Sequence, residues 1–131
     1  MKTNARSKYM ITEFVIYGRP ASKKNSKQLI HAKGRVMFIP SKAYTSFERD
    51  ALYQLLMVKK LIPEPIRTPV HMDVLIWQKG RLWQDYDNVL NSIGDVLQKA
   101  GIIANDKLLT SGSWKVEGNH DDWRTKVCLE W

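Results

Sequence analysis

The last nine residues of the chain alternate in a way that few folds accommodate. Trp123, Thr125, Val127, Leu129 and Trp131 are interleaved with Arg124, Lys126, Cys128 and Glu130. A period of two sends successive side chains to opposite faces of a pleated backbone, so this segment is predicted to be a half-buried strand. "VHMDVLIW", residues 70–77, is the best candidate for a central strand of the same sheet, and "TEFVIYG", residues 12–18, for its first strand. "QLIHAKGRVMFIP" reads as a hairpin around Ala32-Lys33-Gly34, with the glycine supplying a positive φ. In the tail, two strands are expected around a Gly-Asn-His-Asp turn at residues 118–121.

Two segments change the period to that of a helix. Tyr44, Phe47, Ala51, Leu55 and Val58 recur at helical spacing over residues 42–61, with Ser41 suited to the N-cap and Pro63 and Pro65 to the end. A second helix is predicted from about Asp87 to Lys99, with Asp87 as N-cap, Val89, Ile93, Val96 and Leu97 as the buried stripe, and Gly101 at C′. The order β-ββ-α-β-α-β-β implies an α+β fold: a mixed β-sheet with two main helices packed on it. No repeat, low-complexity tract or linker divides the 131 residues, so one domain is expected, with residues 1–10 as a flexible tail.

Composition narrows the class of function. The chain carries 21 Lys+Arg against 13 Asp+Glu, a formal charge of +8 and a pI near 9.7. Residues 1–60 hold 13 Lys/Arg against three acids, a net of +10, whereas residues 61–131 hold eight against ten, a net of −2. A basic protein with such asymmetry points to a polyanion, and nucleic acid is the default partner. The lone Cys128 allows neither an internal disulfide nor a cysteine zinc site, which fits a reducing cytoplasm. No apolar run reaches the roughly 18–20 residues that span a membrane. The three histidines, His31, His71 and His120, do not form a metal-ligand spacing.

Against this basic background, "RLWQDYDNVLNSIGDVLQKAGIIANDKLL", residues 81–109, gathers four aspartates. Asp85 and Asp87 are separated by one residue between a predicted strand and a predicted helix. In an extended segment both carboxylates point to one side, where they repel unless a hard divalent ion such as Mg²⁺ or Mn²⁺ lies between them. Asp87 is equally suited to cap the helix. Asp95 follows Asp87 by eight positions, a rotation of about 80° and roughly 12 Å along the axis; it also forms an (i, i+4) pair with Lys99. Asp106 can approach the helix N-terminus only if the chain folds back beyond Gly101.

"DYDNVLNSIGDVLQKAGIIANDKLL" resembles the signature of the RusA family of Holliday-junction resolvases: D-x-D-N, an apolar helix with an internal Asp, D-x-L-x-K-A-G, and a further Asp just beyond. Upstream, "GRPASKKNSKQLIHAKGRVMFIPSKAY" is similar to that family's N-terminal pattern of Pro, a polar-basic loop, a short hairpin and a helix opening with basic and aromatic residues. The match runs over roughly residues 12–110. It implies a homodimeric, Mg²⁺-dependent endonuclease, often carried by phages or prophages, that makes paired nicks in four-way DNA junctions during recombination and repair. The resemblance makes Asp85, Asp87 and Asp106 the metal-binding, catalytic carboxylates, with Asp95 as the helix Asp of the pattern. The family's lysine four residues after the second Asp is replaced by Asn91, which carries no charge for the phosphate; Lys107, Lys23 or Lys24 are the cations that could stand in.

DNA affinity is expected from the loop and hairpin cations, Lys23, Lys24, Lys27, Lys33 and Arg35, extended by Lys42. Lys59 and Lys60 are assigned to the helix dipole instead. Trp83 either stacks on an unpaired base or packs in the core. A two-fold dimer matches the approximate symmetry of a four-way junction. The rival readings are a Mg²⁺ nuclease for other branched or duplex DNA, and a catalytically weak or inactive DNA-binding module of the same fold.

Overall fold

A computed structural model describes residues 9–21, 27–32, 34–80 and 86–131; for 27–32, 35–40, 119 and 120 the backbone alone is described. The strands are β1 (Ile11–Tyr17), β2 (Lys27–Ala32), β3 (Arg35–Pro40), β4 (Val70–Lys79), β5 (Leu109–His120) and β6 (Arg124–Glu130). The helices are α1 (Lys42–Leu61) and α2 (Tyr86–Lys99), with a 3-10 turn at Asp106–Leu108. The order along the chain is the one the residue patterns imply, and the fold is α+β.

Four strands form one mixed sheet in the order β1-β6-β4-β5, and β2-β3 form a separate antiparallel pair. That pair registers Ala32 against Arg35, and Gly34 stands at φ +74° just ahead of β3. In the large sheet β6 lies antiparallel to both β1 and β4, while β4 and β5 are parallel. A parallel neighbour requires a crossover, and α2 supplies it.

One face of the sheet carries the core. Val70, Met72, Val74 and Ile76 of β4, Val127 and Leu129 of β6 and Ile16 of β1 join a single cluster with the inward stripes of both helices. The α1 stripe is Phe47, Ala51, Leu55 and Val58, with Tyr44 also buried; that of α2 is Val89, Ile93, Val96 and Leu97. Local chemistry sets the helix ends. The Ser41 hydroxyl accepts from the Tyr44 N–H at 3.2 Å, satisfying one orphan donor of α1. At its other end the Lys59 ammonium donates to the carbonyls of Pro63 (2.8 Å) and Gly101 (2.7 Å), tying the end of α1 to the turn after α2. Gly101 adopts φ +75°, as a C′ glycine should.

Two expectations are corrected. The turn between the C-terminal strands does not fall on the Gly-Asn-His-Asp stretch: β5 continues to His120, the reversal falls at residues 121–123, and β4 lies between β5 and β6. Those residues must cross two inter-strand spacings, about 10 Å, which a short extended connection spans without a tight turn. Asp87 is not the N-cap of α2 but lies in its first turn, because the helix begins at Tyr86. The Tyr86 ring stacks on Trp114 of β5, and that packing holds Tyr86 in the helix ahead of Asp87.

Candidate active-site cleft

A cleft of about 470 Å³ opens between α2 and the outer strand β5, with Leu90, Asn91 and Gly94 on one side and Asp106, Lys107 and Trp114 among the residues opposite. Three local features bring Asp106 there. After Gly101 the chain doubles back, and Ile66 forms a parallel bridge with Ile103. The Asn105 side chain then caps the 3-10 turn, accepting from the Lys107 N–H at 2.8 Å, while the Asp106 N–H donates to Gln98 Oε1 at 2.8 Å. Finally, Gly94 leaves room: a Cβ there would lie 3.1 Å from Leu109 Cδ1 and 3.6 Å from Asp106 Cβ. The absent side chain lets the turn seat against the helix flank.

The helical repeat defines what shares that flank. Asp87 and Gly94 are seven residues apart, nearly in line and about 10 Å apart along the axis, with Asn91 between them. Asn91, Asp106 and Lys107 therefore meet at one cleft, and Asp87 stands beyond Asn91 towards the helix N-terminus. Among the described residues no three His, Cys, Asp or Glu side chains come close enough to hold a metal ion. Asp85, the first carboxylate of the D-x-D pair, lies outside the described residues. The acceptors lining the cleft are carboxylate, amide and hydroxyl oxygens, with neither His nor Cys, a donor set that suits a hard divalent cation.

Asp95 is placed elsewhere. Consecutive helical residues are separated by 100°, so Asp95 turns from the Gly94 flank towards α1. There it accepts from the Tyr44 hydroxyl at 2.7 Å and pairs with Lys99 at 3.6 Å, the (i, i+4) pair read from the sequence. Lys99 also donates to the Tyr44 oxygen at 2.6 Å and to Glu48, which shares the Tyr44 hydroxyl with Asp95. Burial, then the Glu48 carboxylate, pushes the Tyr44 pKa far above its ordinary range, against the donation from Lys99. For Lys99 desolvation pulls downwards, but its bonds to Glu48 and Tyr44 and the Asp95 charge outweigh it and hold the ammonium well above its ordinary range.

The remaining residues singled out in the sequence divide cleanly. Lys23, Lys24, Lys33 and Trp83 lie outside the described residues. Lys27 opens β2, Arg35 opens β3 and Lys42 opens α1, which places all three on or beside the hairpin. Sequence reasoning missed Trp114, whose indole lines the cleft and stacks on Tyr86 with centroids 4.5 Å apart and planes at 21°. No sequence pattern singles it out, and only the β4–β5 register puts it beside α2. His71 was also unassigned; its Nδ1 meets Ser111 Oγ at 2.8 Å and its Nε2 meets Asp73 Oδ1 at 3.0 Å, while Ser113 donates to Asp73 at 2.7 Å. These contacts form a cross-strand polar ladder along the β4–β5 pair.

No family model matches the chain. A curated relative, "Crossover junction endodeoxyribonuclease RusA" of Aquifex aeolicus (strain VF5), is 32% identical over 84 residues, which are 64% of this chain and 64% of the relative's length. The chain is therefore similar to a RusA crossover-junction endodeoxyribonuclease over less than two thirds of either length.

Proposed function

We propose that the protein is a RusA-type, metal-dependent endodeoxyribonuclease that resolves four-way DNA junctions by paired nicks. The observation that carries this reading is the return of Asp106 to the flank of α2, where it meets Asn91 and Lys107 in a cleft whose donors suit a hard cation. The likeness to the Aquifex RusA supports four-way junction DNA as the substrate.

Asp85, Asp87 and Asp106 would hold Mg²⁺ or Mn²⁺. Bound there, the ion would polarise a phosphate oxygen and lower the pKa of an attacking water. The chain's own groups do the rest. Lys107 brings an ammonium to the cleft beside Asp106 and takes the place of the lysine that Asn91 displaces, countering the charge that grows on the phosphate. The neutral Asn91 amide, between Asp87 and Asp106 on the flank, offers an oxygen acceptor and an N–H donor to water or phosphate. Asp95 serves the α1–α2 junction and not the reaction. Lys23, Lys24, Lys27, Lys33, Arg35 and Lys42 supply sequence-independent phosphate contacts. Two copies related by a two-fold axis would place one cleft on each of the two nicked strands.

The test is cleavage of an immobile four-way junction, a flap and a linear duplex, each with and without Mg²⁺, by wild type beside Asp106→Asn. Symmetric paired nicks in the junction, dependent on the ion and lost in the variant, are expected. Equal cleavage of linear duplex would replace junction resolution with a general nuclease. Junction binding with no nicking under any metal would reduce the protein to a binding module.

A further inference from the structure

We infer that Trp114 and Tyr86 form a stacking platform for a nucleobase displaced from the DNA next to the phosphate bound in the cleft at Lys107. The inference rests on the DNA reading above and adds a base-binding subsite to it.

Three observations converge. First, Trp114 keeps 46% of its surface exposed even though its ring is stacked on Tyr86. A large indole left half-open on an outer strand is costly in water and invites an apolar or aromatic partner. Second, the ring is held and not merely exposed. Tyr86 opens α2 and packs against the core, Trp114 pairs in register with the buried Val74, and near-parallel planes at 4.5 Å continue naturally into a third stacked ring. Third, its position is specific. Trp114 lines the same cleft as Asn91, Asp106 and Lys107, with Thr110, Ser111 and Ser113 preceding it along β5. A nucleotide presents a flat ring and an anionic phosphate one sugar apart, and the cleft presents a flat ring and a cation in the same hollow.

The arrangement favours a base over a protein side chain. The Asn91 amide and the Lys107 ammonium that share its cleft suit sugar and phosphate, and an apolar peptide would not satisfy them. Stacking reads the π-face and not the base edge, so the platform would tolerate any base. It would select for structure, because a base in continuous duplex is already stacked on its neighbours and one at a branch point is not.

The test uses the full chain in Ca²⁺ and a four-way junction with 2-aminopurine at the branch point, beside the same probe in linear duplex. On wild type, the fluorescence of the branch-point probe should be quenched. Trp114→Ala and Trp114→Leu should abolish that quench and weaken junction binding roughly tenfold, as expected for loss of one base–aromatic stack. Trp114→Phe should restore most of both. Trp114→Leu keeps apolar bulk on β5, so it reports on stacking if the alanine variant unfolds. Wild-type junction binding with a quench that survives in Trp114→Leu would overturn the platform and leave the nuclease reading standing. Failure of wild type to prefer the junction over duplex would overturn both.

Discussion

Helix α2 has two polar flanks that begin at adjacent residues and behave oppositely. On the side that starts at Asp95, charges are matched within the fold: Asp95 and Lys99 close with Tyr44 and Glu48 of α1 into one hydrogen-bonded cluster. On the side that starts at Gly94, the helix carries no side chain at the point of closest approach, and the space admits Asp106 and Lys107 to an open cleft. An acid beside a lysine and a buried tyrosine holds two helices together. An acid at an open cleft beside amide and hydroxyl oxygens is, on the proposed reading, a ligand for a cation. Residue type is the same on both flanks, and what separates them is what the partner segment brings.

The sharpest way to break this contrast is to remove one carboxylate from each side. Asp106→Asn should lower metal-dependent junction nicking at least a hundredfold, the scale expected when a charged group is lost from a metal-assisted site. Asp95→Asn should leave the nicking rate per folded molecule unchanged. If the two variants lose activity alike, the division of the helix is wrong.

Stability should show the reverse order. Tyr44→Phe removes the hydroxyl shared by Glu48 and Asp95 and leaves a less well satisfied cluster, at a cost of about 1.5 kcal/mol in urea unfolding. Its nicking rate, corrected for folded protein, should match wild type. Gly94→Ala sharpens the comparison from the cleft side. The new methyl would crowd Leu109 and Asp106, so nicking should fall several-fold. Thermal stability should stay nearly level, because the gain of roughly 0.8–1 kcal/mol in helix propensity offsets the crowding.

The smallest effect is in alkali. Tyr44 and Lys99 both keep their protons in the folded state to higher pH than their ordinary values of 10.0 and 10.5. Above pH 10 the unfolded chain releases these protons first, so the contribution that is complete below pH 10 is lost as pH rises. Urea midpoints measured from pH 8 to 11 should be flat at first and then fall. Tyr44→Phe should have a shallower decline. A midpoint that rises with pH over that interval would contradict the network.

Much of this architecture was legible residue by residue. The stripe Tyr44, Phe47, Ala51, Leu55, Val58 and the stripe Val89, Ile93, Val96, Leu97 are both buried as their spacing requires. Thr125, Val127 and Leu129 face the core as their alternation implies. Such patterns are readable because one buried face imposes a period on the chain whatever covers that face. The strand order was not readable. Nothing in "LLTSGSWKVEGNHDDWRTKVCLEW" says that β4 separates β5 from β6, since a short reversal serves a hairpin and a step across one strand equally well.

The candidate site divides along the same line. Sequence by itself determined the inventory: a basic N-terminal half, a D-x-D pair ahead of a helix, an aspartate beyond a glycine stop, and an asparagine where the family it resembles has lysine. Tertiary structure alone decided the partnerships. It folded Asp106 back against Gly94, gave Asp95 to α1, brought Lys107 and Asn91 to one cleft and stood Trp114 on Tyr86. The reason is physical. Periodicity reports the burial of a face, a property each segment carries alone. A site is a set of distances between segments, and those are fixed only when the β4–β5 register and the turn after α2 lock into place.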